Sequence, residues 1–313
     1  MHGTILTIGE ILVEIMATTP GRGFRETIDL VGPFPSGAPA IFIDQAARLG
    51  HPAAIVGCVG DDDFGRINLD RLGRDGVDIS AVRVDPEAVT GSAFVRYRPD
   101  GQRDFVFNIR QSAAALVNLT AEARAAIETA SHLHVVGSSL ISPAVIETIL
   151  FAVERVRARG GTVSFDPNVR KEIFGGTGVR DTLSRVLAQT DLFLPSGDEL
   201  LLFSKSTAPD VAIGELLGRG VSAVVHKQGV RGARYVDRSA DLSVPAIATT
   251  EVDPTGAGDI FGATFVVGWL NGRDPSDNLQ RANIAGSLAA RQRGPMEGAS
   301  SVREIEELLE VYR

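Results

Sequence analysis

The sequence predicts an α/β fold built around one mainly parallel β-sheet. Short apolar segments alternate with helical patterns along the chain, and this alternation is typical of βαβ units. A hydrophobic content of 44% with 22% charged residues indicates a globular protein and argues against global disorder. The 313 residues exceed the usual size of one domain, but α/β proteins of this length often fold around one sheet. We therefore predict a single unit over residues 1–313.

The main sheet is predicted from seven short segments rich in branched and aromatic residues, as strands covered on both faces are. They lie at residues 5–8, 53–56, 133–136, 162–165, 192–194, 223–226 and 233–236. Helices are predicted at residues 40–49 and 144–159, because glycines follow both patterns, at Gly50 and at Gly160-Gly161.

Two stretches, at about residues 11–35 and 88–112, do not follow the alternation of short apolar segments and helical patterns. They contain extended segments with polar alternation and turn residues. Pro99-Asp100-Gly101 forms a turn between the segments 93–97 and 104–107, which predicts a hairpin. We expect these stretches to form a small β-sheet, set apart from the main sheet as a lid.

Composition excludes several classes of function. With 31 basic and 39 acidic residues the net charge is −8, so no basic field attracts nucleic acid or an anionic membrane. Cys58 is the only cysteine, which excludes an intrachain disulfide and a four-cysteine zinc site. Residues 1–10 lack the pattern of a signal peptide, and no apolar segment reaches the ~18 residues of a membrane span. These features predict a cytoplasmic protein.

The most informative segment surrounds Gly256 and Gly258, which precede an apolar helix running from Asp259 to about residue 270. Glycines at the start of a helix leave its first amides uncovered, and these amides and the helix dipole favour an anion. A glycine turn with Asp259 as helix cap explains the same residues. From the residues alone, both interpretations stay open.

The run Asp253-Pro254-Thr255-Gly256-Ala257-Gly258-Asp259 resembles the D-x-T-G-A-G-D motif of the ribokinase-like (PfkB-type) carbohydrate kinases. The resemblance implies a three-layer α/β/α fold with a β lid, and ATP as phosphoryl donor with Mg²⁺. It also implies that Asp259 is the catalytic base and that the amides of Gly256, Ala257 and Gly258 stabilise charge on the transferring phosphoryl group. Thr255 belongs to the implied ATP site.

Further motifs of this family recur in order along most of the chain. The stretch 57–65 is similar to G-x-V-G-D-D-x-F-G, Asp166-Pro167-Asn168-Val169-Arg170 to D-x-N-x-R, Lys227-Gln228-Gly229-Val230-Arg231-Gly232 to K-x-G-x-x-G, and Asn283 lies in a matching helix. The resemblance assigns Asp166, Asn168 and Arg170 to the substrate, and Lys227, Gly229, Gly232 and Asn283 to ATP. Each motif taken alone also fits ordinary turn or capping chemistry.

The sugar end departs from the family pattern. Gly37 and Ala38 match G-G-A-P-A-N and are assigned to the substrate with Glu10, but Ile41 replaces the asparagine that reaches a sugar hydroxyl. In the N-x-x-E motif, Ser196 replaces the asparagine and Glu199 is retained. We assign Ser196 to ATP and expect Glu199 to act on Mg²⁺ through water; a capping box between Ser196 and Glu199 is the structural alternative.

These residues predict transfer of the ATP γ-phosphate to a primary hydroxyl of a sugar. The segment 107–114 resembles that of kinases for fructose, tagatose and 2-keto-3-deoxygluconate, and Arg110 or Arg170 would bind the carboxylate of the last. A ketohexose is our first prediction and 2-keto-3-deoxygluconate the alternative. An aromatic content of 6% disfavours a nucleoside kinase, and the intact Asp259 disfavours a non-catalytic sugar sensor. We further expect a homodimer through the lid, with K⁺ as an optional cation.

Overall fold

A nine-stranded sheet, covered by helices on both faces, forms the centre of the computed structural model, which describes residues 3–21, 24–98, 103–169 and 179–312. The predicted turn at 99–101 and Arg170 lie outside these ranges. The strands are β1 (Thr4–Ile8), β2 (Leu12–Ala17), β3 (Leu30–Ser36), β4 (Ala53–Gly60), β5 (Val82–Asp85), β6 (Gly91–Tyr97), β7 (Arg103–Asn108), β8 (Ala130–Val136), β9 (Thr162–Asp166), β10 (Leu192–Phe193), β11 (Ala223–Lys227), β12 (Ala233–Asp237) and β13 (Asp241–Val244). The helices are α1 (Ala38–Arg48), α2 (Asp63–Arg74), α3 (Ala121–Thr129), α4 (Pro143–Ala158), α5 (Val179–Leu187), α6 (Pro209–Gly218), α7 (Ala257–Leu270), α8 (Pro275–Ala290) and α9 (Val302–Tyr312).

The main sheet has the strand order β13-β12-β11-β10-β9-β8-β1-β4-β5. Its pairs are parallel from β11 through β5, and only β12 and β13 are added antiparallel. Strand β1 is apolar towards both helical layers: Leu6 belongs to the core cluster with α3–α6 and Ile5 to the cluster with α1 and α7–α9. One face of β8 instead carries the buried His132 and His134. This covering on both sides explains the continuous apolar runs of the sequence and confirms the predicted α/β fold.

Strand β1 lies at the switch point of this topology. Its neighbour on one side is β4 and on the other β8, so the connections lead away from it in both directions. In open parallel sheets, ligands bind outside the carboxyl ends of the strands at such a point. At these ends lie Glu10 after β1, Asp166 in β9 and Lys227 in β11.

The four remaining strands form a small separate sheet with the order β3-β2-β6-β7. The predicted hairpin is present as β6 and β7, which pair antiparallel from Ser92↔Asn108 to Tyr97↔Arg103. Residues 25–29, which the sequence predicted as extended, precede β3 and belong to no strand. The strand pairing with β2 ends at Ala17, opposite Leu30, and beyond it the carbonyl of Asp29 still accepts from the amide of Thr18 over 3.1 Å. Among the described residues, no helix is long and apolar enough to cross a membrane.

Candidate active site

The start of α7 is fixed by a glycine that no other residue could replace without strain. Gly256 is the N-cap and has a φ of +79°. A Cβ added there would lie 2.2 Å from the carbonyl oxygen of Pro295. Left-handed backbone and this close approach both require glycine. Asp259 follows in the first helical turn and is 9% exposed, so the turn directs open amides and one carboxylate to the same place.

The carboxylate of Asp253 fixes the conformation of this turn through hydrogen bonds. Its carboxylate accepts hydrogen bonds from the amide of Thr255 (3.0 Å), the hydroxyl of Thr255 (2.7 Å) and the amide of Gly294 (3.1 Å). The same hydroxyl accepts a bond of 2.7 Å from Nη1 of Arg103, in the small sheet. Thr255, predicted as an ATP contact, is thus a buried link between the turn and the small sheet.

Asp259 is contacted by the segment that follows β9. Nδ2 of Asn168 lies 3.4 Å from Oδ1 of Asp259. Asn168 has a φ of +36°, which asparagine tolerates better than most residues, and its amide donates to Asp166 over 3.1 Å. The local turn at Asp166 therefore aims the Asn168 side chain at Asp259.

A buried ion pair lies beside this contact. Nζ of Lys227 donates to Oδ2 of Asp166, and Glu199 is close to both. Burial by itself lowers the pKa of Lys227, but the carboxylates of Asp166 and Glu199 outweigh it and raise that pKa. Burial and the charge of Asp166 raise the pKa of Glu199. The lysine is therefore charged and held by acidic partners.

Ser196 and Glu199 make the contacts of the predicted capping alternative. Oε2 of Glu199 accepts from the amide of Ser196 over 2.8 Å, and Oε1 accepts from the amide of Val169 over 2.6 Å. Each carboxylate oxygen keeps a further acceptor position. A water-mediated metal contact by Glu199 is compatible with this geometry and stays a prediction.

Three cavities follow one another across the carboxyl ends of the strands. An outer cavity of about 250 Å³ and a central cavity of about 290 Å³ share Lys227, Pro254 and Gly258, and an inner cavity of about 40 Å³ shares Asn168 with the central one. Asp259 lines the central cavity, next to Asn168. A ligand reaching from the outer to the inner cavity would pass Asp259.

The outer cavity brings together four of the six residues predicted for ATP; Ser196 lines the central cavity instead, and Thr255 lines none of the three cavities. Lys227, Gly229, Gly232, Ala257 and Asn283 line the outer cavity, with Phe261 and Ala290 among the apolar residues of its wall. The Asn283 side chain is also structural: its amide donates to the carbonyls of Val244 and Pro245, both over 3.2 Å. Asn283 therefore fixes the end of β13 against α8.

The central cavity contains Asp166, Asn168, Ser196, Glu199, Lys227, Gly256, Gly258 and Asp259, together with Arg103. The sequence predicted all of these as site residues except Arg103. Asp166, predicted as a substrate contact, lies here with Lys227 instead of in the inner cavity.

The inner cavity is lined by two carboxylates. The hydroxyls of Ser138 and Ser139 donate to Glu10 over 2.8 and 2.6 Å, and the hydroxyl of Ser36 donates to Glu14 over 2.7 Å. Both glutamates are less than 8% exposed. Glu14 was missed in the sequence, although an acid within the apolar run of β2 is a signal that could have revealed it.

Gly37 and Ala38 also line the inner cavity, but the glycine has a structural reason. With φ at +112°, a Cβ on Gly37 would lie 2.3 Å from the carbonyl oxygen of Glu10. Gly37 thus lets α1 begin against the loop that carries Glu10. Ile41 is 3% exposed and packs in the core under α1, so its side chain belongs to the core and is not among the lining residues.

Arg110 does not line the inner cavity itself; it lines a wide groove of about 870 Å³, together with Asp62 and Asp63, and this groove shares Phe105, Phe107 and Ile109 with the inner cavity. Asp62 caps α2 by accepting from the amide of Gly65 over 2.8 Å, and it also accepts from the amide of Thr90 over 2.8 Å. Asp62 therefore caps α2, as the capping interpretation predicted, and also holds the segment that leads into β6.

The chain is similar to known proteins over nearly its whole length. A family model described as pfkB family carbohydrate kinase matches residues 4–301. The chain is 32% identical over 305 residues to the fructokinase of Klebsiella pneumoniae, covering 95% of this chain and 96% of that protein.

Among solved structures, the fold matches a putative ribokinase II from E. coli in complex with ATP and Mg²⁺, with 45% identity, a TM-score of 0.92 and 99% of each chain covered. It also matches a fructokinase double mutant from Vibrio cholerae O395 with fructose, ADP and potassium ion bound, with 25% identity, a TM-score of 0.85 and 98% of each chain covered. The ribokinase-like fold predicted from the motifs is confirmed. The chain belongs to the pfkB family of carbohydrate kinases and is a sugar kinase.

Proposed function

We propose that this kinase transfers the γ-phosphoryl group of ATP to a primary hydroxyl of a ketohexose, fructose or tagatose. The observation that carries the proposal is the position of Asp259, which is contacted by Asn168 at 3.4 Å where the central and inner cavities meet. The nucleotide would occupy the outer cavity and its phosphates the central cavity, and the sugar would occupy the inner cavity together with the adjoining part of the groove that shares Phe105, Phe107 and Ile109 with it. The similarity to fructokinases supports the choice of hexose.

In this proposal Asp259 accepts the proton of the attacking hydroxyl, and Asn168 orients its carboxylate. The open amides at Gly256–Gly258 donate to the phosphoryl oxygens as their charge develops. Lys227, held by Asp166, adds a fixed positive charge beside the same oxygens. The reaction then depends on positioning and electrostatics, with little covalent work by the protein.

The residues of the central cavity fit a magnesium ion that arrives with the nucleotide. Such an ion keeps most of its waters and neutralises phosphate oxygens. The carboxylate of Glu199 and the hydroxyl of Ser196 line this cavity, and each would hold one of those waters. They fit a hydrated ion better than a directly ligated one, because Glu199 already accepts two backbone amides.

The alternative substrate, 2-keto-3-deoxygluconate, carries a carboxylate. The inner cavity is lined by Glu10 and Glu14, and no lysine or arginine among the described residues lines it. Two buried acids disfavour an anionic ligand, which supports the neutral hexose. Arg110, in the adjoining groove, and Arg170 remain the residues through which a carboxylate would bind.

Turnover of purified protein with Mg·ATP, measured as ADP release, tests the proposal. The acceptors are fructose, tagatose, 2-keto-3-deoxygluconate, ribose and nucleosides, and Asp259→Asn serves as the control for contaminating activity. The highest kcat/KM is expected for a ketohexose. Turnover of nucleosides alone would refute the proposal, and preference for the sugar acid would replace the hexose with the alternative.

We also propose a cytoplasmic homodimer that pairs through the small sheet, which acts as a lid. Exposed apolar residues support this surface: Val106 in β7 is 49% exposed and Val89 is 64% exposed. Potassium is proposed as an activating cation, because the Vibrio cholerae fructokinase was solved with it. Light scattering of wild type and Val106→Asp tests the dimer, and turnover in potassium against lithium salts tests the cation.

A further inference from the structure

The loop between α8 and α9, residues 291–301, packs directly against the glycine turn that begins α7. The carbonyl oxygen of Pro295 faces Gly256 so closely that a Cβ there would lie 2.2 Å from it. The amide of Gly294 donates over 3.1 Å to Asp253, the residue whose carboxylate fixes the turn. The position of the turn therefore depends on where this loop lies.

Arg71 of α2 holds the middle of this loop. Its Nη2 donates to the carbonyl oxygen of Met296 over 2.7 Å, and its Nη1 lies 3.6 Å from Oε1 of Glu297. Farther along the loop, the Gln45 side chain of α1 accepts from the amide of Ser300 over 2.8 Å and donates to the carbonyl of the same residue over 3.0 Å. Both α1 and α2 thus fix the loop, and Arg71 binds the part nearest the turn.

Two carboxylates hold the Arg71 guanidinium in one orientation. Oδ2 of Asp44 accepts from Nη2 over 3.1 Å, and Oδ2 of Asp75 accepts from Nε over 2.8 Å. Arg71 is 8% exposed and Asp44 is fully buried. A buried ion pair often stabilises a fold no more than apolar residues of the same volume would. The arrangement is therefore better explained by the one position that it gives to Met296 than by a gain in stability.

We propose that Arg71 is a positioning residue for phosphoryl transfer, an inference that rests on the proposed function. By holding Met296, Arg71 keeps the loop packed against Gly256, so that the open amides of the turn and the carboxylate of Asp259 stay aligned for the reaction. A shift of about 1 Å in such groups costs roughly 10²-fold in rate, even when the substituted residue lies far from the reacting atoms. Arg71 itself lines none of the three cavities and takes no part in bond making or proton transfer.

A double variant tests the inference by kinetics. Asp44→Asn combined with Arg71→Met removes both charges, so that neither is left buried without a partner, and Asp75 keeps its ion pairs with Arg48 and Arg74. We expect kcat to fall roughly 10–100-fold, with the KM of the sugar changed less than about three-fold. Arg71→Lys keeps the charge and a donor for the loop carbonyl without the planar fork, and it should recover part of that rate.

A second buried arginine provides the matched control. Arg281 is also 8% exposed, and it joins α8 to α9 by donating to Asp277 over 2.7 Å and to Glu306. Glu306→Gln combined with Arg281→Met should keep kcat within about three-fold of wild type, as expected for a site away from the turn. A wild-type kcat in the protein with Asp44→Asn and Arg71→Met would overturn the inference, and so would an equal loss of kcat in the control.

Hydrogen exchange measured by mass spectrometry separates this inference from the proposed function, because it needs no substrate. The peptides spanning residues 253–262 and 291–300 should exchange about ten-fold faster or more in the double variant than in wild type, since the loop and the turn would open together. The peptide spanning residues 130–136, in β8, should exchange equally in both proteins. Arg71→Lys carries the same comparison where the double variant does not fold.

Unchanged exchange at the turn refutes the role of Arg71 even if no sugar is turned over. Faster exchange in the variant, together with failure of wild type to phosphorylate any sugar, refutes the proposed function alone.

Discussion

The side-chain amide of Asn168 contacts the carboxylate of Asp259 at 3.4 Å, and this contact joins the loop after β9 to the first turn of α7. Asn168 in turn is placed by Asp166, which accepts its backbone amide over 3.1 Å. The base and the residue that orients it thus come from elements far apart in sequence.

Asp259→Asn is expected to lower kcat by ~10²–10⁴-fold, the usual contribution of a positioned base. An amide of the same size keeps the fold and leaves ATP binding nearly intact. Steady-state kinetics gives the rate and calorimetry with ATP gives the binding. A variant with more than a tenth of the wild-type kcat would show that Asp259 is not the base.

Gly256 and Gly258 should respond differently to alanine. Gly256→Ala meets the left-handed backbone and the carbonyl oxygen of Pro295 at 2.2 Å, so we expect a loss of about 1–3 kcal/mol in the free energy of unfolding. Gly258→Ala meets only Nζ of Lys227, at 3.8 Å. Because alanine favours a helix, its stability should equal or exceed wild type while kcat falls.

Urea unfolding and turnover of the two alanine variants distinguish these effects. A Gly258→Ala protein with normal turnover would argue against phosphoryl binding at these amides. An unchanged unfolding midpoint for Gly256→Ala would contradict the strain assigned to that position.

His132 makes stability depend on pH. Burial lowers its pKa to about 3, and its two ring nitrogens lie 2.7 Å from the hydroxyls of Thr162 and Ser164. The unfolded chain binds a proton here below a pH of about 6.5, whereas the folded protein does not until near the lowered pKa. Stability is therefore present above about pH 6.5 and is lost progressively as the pH falls toward 3.

His132→Gln removes that proton uptake. Between pH 7 and 5 the variant should lose about 2 kcal/mol less free energy of unfolding than wild type, from ~1.36 kcal/mol per pH unit below the ordinary histidine pKa. Urea titrations at both pH values measure the difference. The pKa of His226 is also lowered by burial, so the pH dependence of stability in a His226→Gln variant is the comparison. An equal change in the free energy of unfolding with pH in wild type and His132→Gln would contradict the prediction.

Sequence reasoning succeeded where the structure depends on local backbone or on strand ends. Gly256 needs its left-handed φ whatever surrounds it, so the motif was visible in the chain. Asp166 and Lys227 were both assigned to the site, where parallel strands bring their carboxyl ends to one edge, but their ion pair was not predicted.

Other features depend on which face of an element packs inward, or on how two sheets dock. Ile41 stands where the family has a sugar-contacting asparagine, and only the structure shows that α1 turns this side chain into the core. The bond from Arg103 to Thr255 spans 152 positions of sequence. No local pattern reports a contact between separate sheets, so Arg103 could not be assigned to the site from its residue type.

The last prediction concerns the acidic lining of the inner cavity. Glu14→Gln should raise the KM for fructose roughly ten-fold or more, because a charge-assisted hydrogen bond to a sugar hydroxyl contributes ~1.5–3 kcal/mol. The same change removes a negative charge that opposes a carboxylate, so the KM for 2-keto-3-deoxygluconate should fall.

The diagnostic result is a rise in the KM for fructose together with a fall in the KM for 2-keto-3-deoxygluconate. Both are measured by ADP release. Glu147→Gln, on the exposed side of α4, is the matched control and should change neither KM. A general loss of packing at Glu14 would raise both KM values together, because the serine that donates to it would lose its charged partner. Equal increases would therefore mean that Glu14 supports the cavity wall without selecting the substrate, and the preference for a neutral hexose would have to originate elsewhere in the site.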